Sequence, residues 1–281
     1  MKPEFIITST GNPRVKEALR LRGRRGRAEG ERILIDGVRE ISRAVDAGVG
    51  IEEVFYCDQL LRESPPAREF VANEQDARAL LSRIESVGAH LMQVSESVFD
   101  KLRYGDRTGG LLAVARRPKT TLDDLVLSVD SLVAVVEGLE KPGNLGAILR
   151  TADAAGIAAV IAVDPETDIY GPNVIRASMG TVFGISLVES PVAACIAWLR
   201  EHAFRMVASS PVAMRLYTEI DYTGRVAMVF GGEAEGLTNR WTSSEVQHAR
   251  VPMLGRADSL NVATTAALFF YEARRQRGAL E

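Results

Sequence analysis

Side chains that bind metals or form cross-links are scarce in this chain, which has two cysteines and three histidines among 281 residues. Cys57 and Cys195 lack CxxC or metal spacing and read as reduced thiols of a cytoplasmic protein. His90, His202 and His248 are scattered, with no HExxH or Cys/His cluster, so no metal is expected in the site. No run of about 18 apolar residues occurs and the N-terminus lacks the apolar core of a signal peptide, which argues against a membrane span and against secretion. A formal net charge of -3 excludes a uniformly basic nucleic-acid binder. Any contact with RNA must come from locally segregated charge. Internal repeats and low-complexity segments are also missing.

What is present is the composition of a globular protein, 46% hydrophobic and 25% charged, long enough for one large or two smaller domains. Charge segregation does occur: Arg20, Arg22, Arg24, Arg25 and Arg27 follow one another with no acid among them. They make a candidate RNA-binding surface. The bland alternative is a solvated charged face.

Read in order, the chain opens with a short extended lead at residues 6–13 and a basic helix and loop over 14–27, with Val15, Ala18 and Leu19 on the buried side. Strands are predicted at 32–37, 51–56, 90–94 and 111–114, and helices after Gly37, at 74–86 and at 95–102, with a proline-containing loop at 62–69. This alternation describes a small α/β domain at 1–116, and the break in periodicity at 117–130 reads as a linker. A second α/β domain, 131–281, begins with the buried strand Leu132-Val133-Ala134-Val135-Val136. It continues with a helix from about Asn144, closed by Gly156, strands at 158–163, 182–188 and 205–208, and helices at 172–179 and 191–202.

The last quarter holds two strand ends, two glycine-bearing loops and an amphipathic helix. Val226-Ala227-Met228-Val229-Phe230 opens into Gly231-Gly232-Glu233-Ala234-Glu235-Gly236, where backbone can approach a ligand closely. A strand at 247–253 ends in a loop at Gly255. A helix then starts at Ser259-Leu260-Asn261, with Ala263, Ala266, Ala267, Phe270 and Tyr271 expected on its inner face. The glycine loop is not GxGxxG, and two carboxylates beside a pyrophosphate repel it. A Walker loop is absent as well. An acidic, glycine-rich loop suits a positively charged ligand with an adenosine to grip, and S-adenosylmethionine is one.

Three stretches together resemble the signature motifs of the SpoU (TrmH-like) RNA ribose 2′-O-methyltransferases of the SPOUT superfamily. They are Asn144-Leu145-Gly146-Ala147-Ile148-Leu149-Arg150-Thr151-Ala152, then Phe230-Gly231-Gly232-Glu233-Ala234-Glu235-Gly236-Leu237, and Val251-Pro252-Met253 with Ser259-Leu260-Asn261-Val262-Ala263. Order and spacing agree. The opening, with Thr8-Ser9, Asn12-Pro13, the arginine run and Ile33 to Gly37, is similar to the substrate-binding domain these enzymes often carry, itself like an RNA-gripping ribosomal-protein fold. Glu140-Lys141-Pro142-Gly143 departs from the usual acidic-Pro-small lead into the first motif.

The resemblance implies an α/β trefoil knot in the C-terminal half, S-adenosylmethionine as cofactor and a homodimer through the C-terminal domain. By position it puts cofactor contacts on Gly232, Val251, Met253 and Leu260, and the catalytic set on Asn144, Arg150, Glu235, Ser259 and Asn261. Arg150 suits bidentate grip of a phosphate and stabilisation of an alkoxide, and Ser259 and Asn261 suit orientation of the attacking oxygen. The general base stays open, since a guanidinium with a pKa above about 12 is a poor one. Glu235 has two readings, holding Arg150 or favouring the sulfonium. The implied substrate is structured RNA, ribosomal RNA first and transfer RNA second. A non-catalytic RNA-binding protein on the same scaffold is the alternative that the presence of Arg150, Glu235 and Asn261 opposes. A nucleotide-using enzyme of ordinary doubly wound fold is opposed by residues 137–142, which lack phosphate-loop chemistry.

Overall fold

A computed structural model describes residues 5–63, 73–104, 109–232 and 236–278. Glu235, and residues 64–69 of the expected loop, lie outside the described residues. The chain divides into two compact units, Met1–Pro118 with Tyr170–Gly184, and Lys119–Ile169 with Ile185–Glu281.

In the first unit, α1 (Pro13–Arg20) and α2 (Arg24–Gly30) precede β1 (Arg32–Asp36), α3 (Val38–Asp46), β2 (Ile51–Tyr56), α4 (Asp58–Arg62), α5 (Glu74–Ser86), β3 (His90–Gln93), α6 (Glu96–Leu102) and β4 (Leu111–Arg116). Asn12 caps α1, with Pro13 in its first turn, and Gly23 starts α2, so the expected single basic helix is two. The strands form a sheet in the order β1-β4-β2-β3, with β4 antiparallel to both neighbours and β2 parallel to β3. Ile7 extends the sheet by a single parallel bridge to Val94. Ile33, Leu34 and Ile35 are all buried because both faces are covered. Val15 and Ala18 of α1 with Val98 and Phe99 of α6 pack on Leu34, Phe55 and Leu112. The short α4 was not anticipated; Leu60 and Leu61 are its buried pair.

The second unit runs β5 (Leu132–Glu137), α7 (Pro142–Ala154), β6 (Ala159–Val163), then, beyond α8 (Pro172–Ala177) of the first unit, β7 (Ser186–Ser190), α9 (Val192–Glu201), β8 (Arg205–Ser209), β9 (Arg215–Leu216), β10 (Val226–Phe230), β11 (Val246–Arg250) and α10 (Val262–Gln276). Its seven strands are all parallel, in the order β7-β6-β5-β10-β8-β11-β9. The order reverses at β5, which lies between β6 and β10. In an open parallel sheet, ligands bind outside the carboxyl ends of the strands at such a switch point. One face packs Val133, Val135, Ile161 and Val229 on Trp198, Leu199 and Trp241. On α10, Phe269 and Phe270 meet Phe230 edge to face, with ring centroids 5.5 and 5.8 Å apart.

Several boundaries depart from the sequence reading. The strand expected at 182–188 begins at Ser186, because Gly180, at φ +85°, turns the chain into a short 3₁₀ turn at Thr181–Phe183. β11 stops at Arg250 rather than 253, since Pro252 has no N–H for the ladder. On α10 the buried positions are Ala266, Phe269, Phe270, Glu272 and Ala273, while Tyr271 is 44% exposed. α7 starts at Pro142, a favoured first helical residue, so Asn144 sits inside its first turn instead of capping it.

Candidate functional site

The carboxyl ends of β8, β10 and β11 surround a cavity of about 670 Å³, within the usual range for small-ligand sites. Its walls include Phe230, Gly231 and Gly232 after β10, Val251 and Met253 after β11, and Ser259, Leu260 and Asn261 leading into α10. All four residues expected to touch a cofactor, Gly232, Val251, Met253 and Leu260, therefore line one space. Ser259 and Asn261 of the expected catalytic set line it too.

Glycine has a different role here from the one its sequence suggested. A Cβ on Gly232 meets the Gly138 carbonyl oxygen at 2.6 Å, so the absent side chain lets two backbone segments pack together and does not only open space for a ligand. A Cβ on Gly231 collides with the backbone of Gly236. The loop is closed on itself, with the Gly236 N–H donating to the Gly232 carbonyl at 3.2 Å. Glu137, 4% exposed at the end of β5, fixes the loop from outside: its carboxylate accepts from the Thr238 N–H at 2.8 Å and from the Thr238 hydroxyl at 2.9 Å. Two charge-assisted bonds to one buried carboxylate hold the far end of the glycine loop to the end of β5.

The first and third motifs meet through their amides. Asn261 caps α10, its Oδ1 accepting from the Ala263 N–H at 2.9 Å, and its Nδ2 donates to Asn144 Oδ1 at 3.1 Å. Asn144 thus reaches the edge of the cavity through Asn261. Arg150 does not line the cavity; it is exposed on α7, and no ion pair or hydrogen bond holds its guanidinium among the described residues. Thr238, Trp241, His248 and the Ser209-Ser210-Pro211 turn also line the cavity, and the sequence reading missed them. Ser209 ends β8 and Ser210 follows it, at the carboxyl edge of the sheet, a position that singles them out once the strands are placed. His248 is oriented by a 3.1 Å contact between its Nε2 and the Trp241 carbonyl.

The walls combine the apolar Phe230, Trp241, Met253 and Leu260 with hydroxyl and amide groups, and no described lining residue carries a Lys or Arg cation. That donor set does not match a polyphosphate. It fits an adenosine held through hydroxyl, amide and backbone groups, with a cationic sulfonium facing no positive side chain.

In the first unit the arginine run is only partly available. Arg27 departs from the expected surface set: it is 5% exposed and its guanidinium donates to the Leu21 and Arg22 carbonyls, both at 2.8 Å. There it ties the end of α1 to α2. Arg20 and Arg25 pair with Glu29 at 3.3 and 2.7 Å. Arg22 donates to the Lys101 carbonyl at 3.0 Å and lies 5.4 Å from the centre of the Tyr104 ring. Arg24 is exposed. Among the described residues no helix is long and apolar enough to cross a membrane.

Residues 131–271 match the SpoU rRNA Methylase family and residues 12–113 the MRM3-like substrate binding domain. The chain is 30% identical, over 96% of its length and 92% of the relative's, to the 23S rRNA (uridine(2479)-2'-O)-methyltransferase of Streptomyces viridochromogenes. It is similar to a crystal structure of an RNA 2'-O ribose methyltransferase, with a TM-score of 0.80 and 41% identity over 97% of this chain and 99% of that one. An AdoMet-bound rRNA methyltransferase from Sinorhizobium meliloti gives a TM-score of 0.85 at 27% identity, covering 96% of this chain and 97% of that one. With the second and third motifs lining one cavity, the first tied to it through Asn144 and Asn261, and the match spanning its C-terminal half, this chain belongs to the SpoU rRNA methylase family.

Proposed function

We propose that the protein transfers the methyl group of S-adenosylmethionine to a ribose 2′-hydroxyl of ribosomal RNA. The observation that carries this is the cavity at the carboxyl ends of β8, β10 and β11 with Asn261 and Ser259 at one wall and Asn144 tied to Asn261. Ribosomal RNA is favoured over transfer RNA because two of the three relatives named above are rRNA methyltransferases. The cofactor, when bound, supplies an electrophilic methyl carbon on sulfonium sulfur. Gly232, Val251, Met253 and Leu260 are its contacts in this reading, mostly through backbone.

The protein's own part is placement and charge. Attack requires the 2′-oxygen in line with the methyl carbon and within about 3 to 3.5 Å. Ser259 and Asn261 offer hydrogen bonds that orient this oxygen, with Asn144 fixing the Asn261 amide. Arg150, held by no other described group, takes the neighbouring phosphate in a two-point grip and stabilises the developing alkoxide. Glu235 either steadies Arg150 or favours the sulfonium. Residues 1–116 present the RNA, through Arg20, Arg22, Arg24 and Arg25, and residues 117–130 link them to the methyltransferase domain. That domain is a trefoil knot and dimerises with a second copy in the cytoplasm.

The test is Arg150→Ala, measured by single-turnover methylation of whole ribosomal RNA, with transfer RNA in parallel, and by calorimetric titration of S-adenosylmethionine. Methyl transfer should fall by about 10² to 10³ with cofactor affinity near wild type. Arg150→Lys should recover little, because an ammonium lacks the planar fork. Parallel loss of cofactor and activity removes the role given to Arg150, and preferential methylation of transfer RNA removes the substrate.

A further inference from the structure

The stretches whose residues line the cavity carry a second set of arginines, in a different state from the run in the first unit. Arg215 lies on β9, Arg240 in the turn Asn239–Trp241, Arg250 at the end of β11 and Arg256 in the loop leading to Ser259. Each stands beside, or a few residues from, a residue that lines the cavity. None makes an ion pair or hydrogen bond through its guanidinium with any described residue. Arg215, Arg240 and Arg256 are exposed and Arg250 is half-buried.

Three of the acids near them in sequence are engaged elsewhere. Glu219 accepts from the Leu216 N–H at 2.8 Å, Asp221 pairs with Arg205 at 3.1 Å, and Glu245 pairs with Arg200 at 2.8 Å. Asp258, in the loop with Arg256, is exposed. In a chain with 37 acidic against 34 basic side chains, four arginines without an ion-pair partner among the described residues, in stretches that line one cavity, are a concentration of positive charge. The same stretches present bare apolar side chains: Met214 is 94% and Leu254 97% exposed.

We propose that Arg215, Arg240, Arg250 and Arg256 form a phosphate-binding rim that holds single-stranded RNA on either side of the nucleotide entering the cavity, with Met214 and Leu254 against the flanking bases. The inference rests on the methyltransferase reading above and adds where the catalytic unit itself grips its substrate. Guanidinium groups match phosphate oxygens bidentately, and Arg20, Arg25 and Arg27 in the first unit are already paired or buried. A second copy of this chain is a poorer occupant. A two-fold interface sets a patch against itself, and arginines then face arginines.

The experiment uses the full-length protein and its variants R240Q/R256Q, R215Q/R250Q and, for reference, R20Q/R25Q. Affinity for oligouridylate and for whole ribosomal RNA is measured from about 50 to 200 mM salt, with S-adenosylmethionine titrated separately. Each rim pair should weaken RNA binding and flatten the log–log salt dependence by about 1.4, from roughly 0.7 per phosphate on a single strand. Cofactor affinity should not change. The R20Q/R25Q pair should flatten it less. An unchanged salt slope in both rim pairs overturns the proposal, as does a shift to monomer on sizing columns, which assigns the rim to a second copy. Flattened slopes in a protein that methylates no RNA leave the rim standing and remove the enzymatic reading instead.

Discussion

The bond between Asn261 and Asn144 joins residues 117 apart in sequence, and a double-mutant cycle measures what it contributes. Asn261→Ala removes two interactions at once, the cap on the Ala263 N–H and the 3.1 Å bridge to Asn144. Loss of an asparagine cap costs about 1 kcal/mol. A neutral hydrogen bond at an exposed site contributes about 0.5 to 1 kcal/mol, so the variant should lose roughly 1.5 to 2 kcal/mol. For a chain of this size that lowers Tm by about 3 to 8 °C. Asn261→Ser restores a cap but cannot reach Asn144, and should recover about half. Asn144 makes other contacts, so its alanine variant alone does not isolate the bridge. The pair Asn144→Ala with Asn261→Ser does, and the coupling should be about 0.5 to 1 kcal/mol by thermal and urea unfolding. Single-turnover methylation should show coupling of the same sign, because the bridge orients an amide at the cavity wall. Strictly additive stabilities, within about 0.3 kcal/mol, refute the bridge as a source of stability. Additive rates refute its part in placing the site.

Gly232→Ala should destabilise the protein by about 1 to 3 kcal/mol and weaken S-adenosylmethionine binding, since the new methyl must displace the Gly138 carbonyl; unchanged melting with unchanged titration contradicts the packing described. Glu137→Gln keeps an oxygen for the Thr238 N–H and leaves the Thr238 hydroxyl to accept from the new NH₂, so the lost charge should cost about 1 kcal/mol, and hydrogen exchange should show the Thr238 amide opening more readily. Burial, with the Glu137 charge as a smaller cause, pushes the Cys195 thiol from 9.0 to about 12. The unfolded thiol then ionises first and binds fewer protons than the folded one, so this contribution is whole below about pH 9 and is lost as pH climbs toward about 12. At full titration it is on the order of 4 kcal/mol, and Cys195→Ala should remove that part of the alkaline loss in urea unfolding.

Elements with strong periodicity were legible in the sequence. α5 occupies the residues its apolar spacing predicts, with Asn73 and Asp76 closing a capping box, and β1, β2 and β10 lie where buried runs place them. Periodicity reports an element's type but not its partner. Residues 170–184 show this: they fall inside the family's span, yet they pack with the first unit, where the Met179 carbonyl accepts from Arg43 at 2.9 Å and Gly180 approaches Glu40. The basic end of α10 was legible as charge and not as a fastening. Arg274 donates to the Ala155 and Gly156 carbonyls, and Arg277 to the Tyr222 carbonyl, so these cations close helix ends and turns. Arg27 was missed for the same reason, since composition cannot tell an arginine bound to carbonyls from one in solvent.

The sequence draws the eye to the last quarter of the chain, whereas the structure hangs the site on the connection from β5 to α7. Glu137, at the end of β5, holds the loop after β10 through Thr238, and Asn144, in the first turn of α7, holds the start of α10 through Asn261. Gly138, between them, receives Gly232 at a distance no side chain permits. Three features of one short segment thus brace the loop after β10 and the start of α10, two walls of the cavity. Arg150 follows Asn144 by six residues, and at about 100° per residue its side chain leaves α7 roughly 240° around the helix from the amide. It therefore points away from the wall that Asn144 braces and is held by nothing among the described residues. A guanidinium so placed can meet an anion that comes from outside. That is why the substrate's phosphate, and not the methyl donor, is the partner proposed for it.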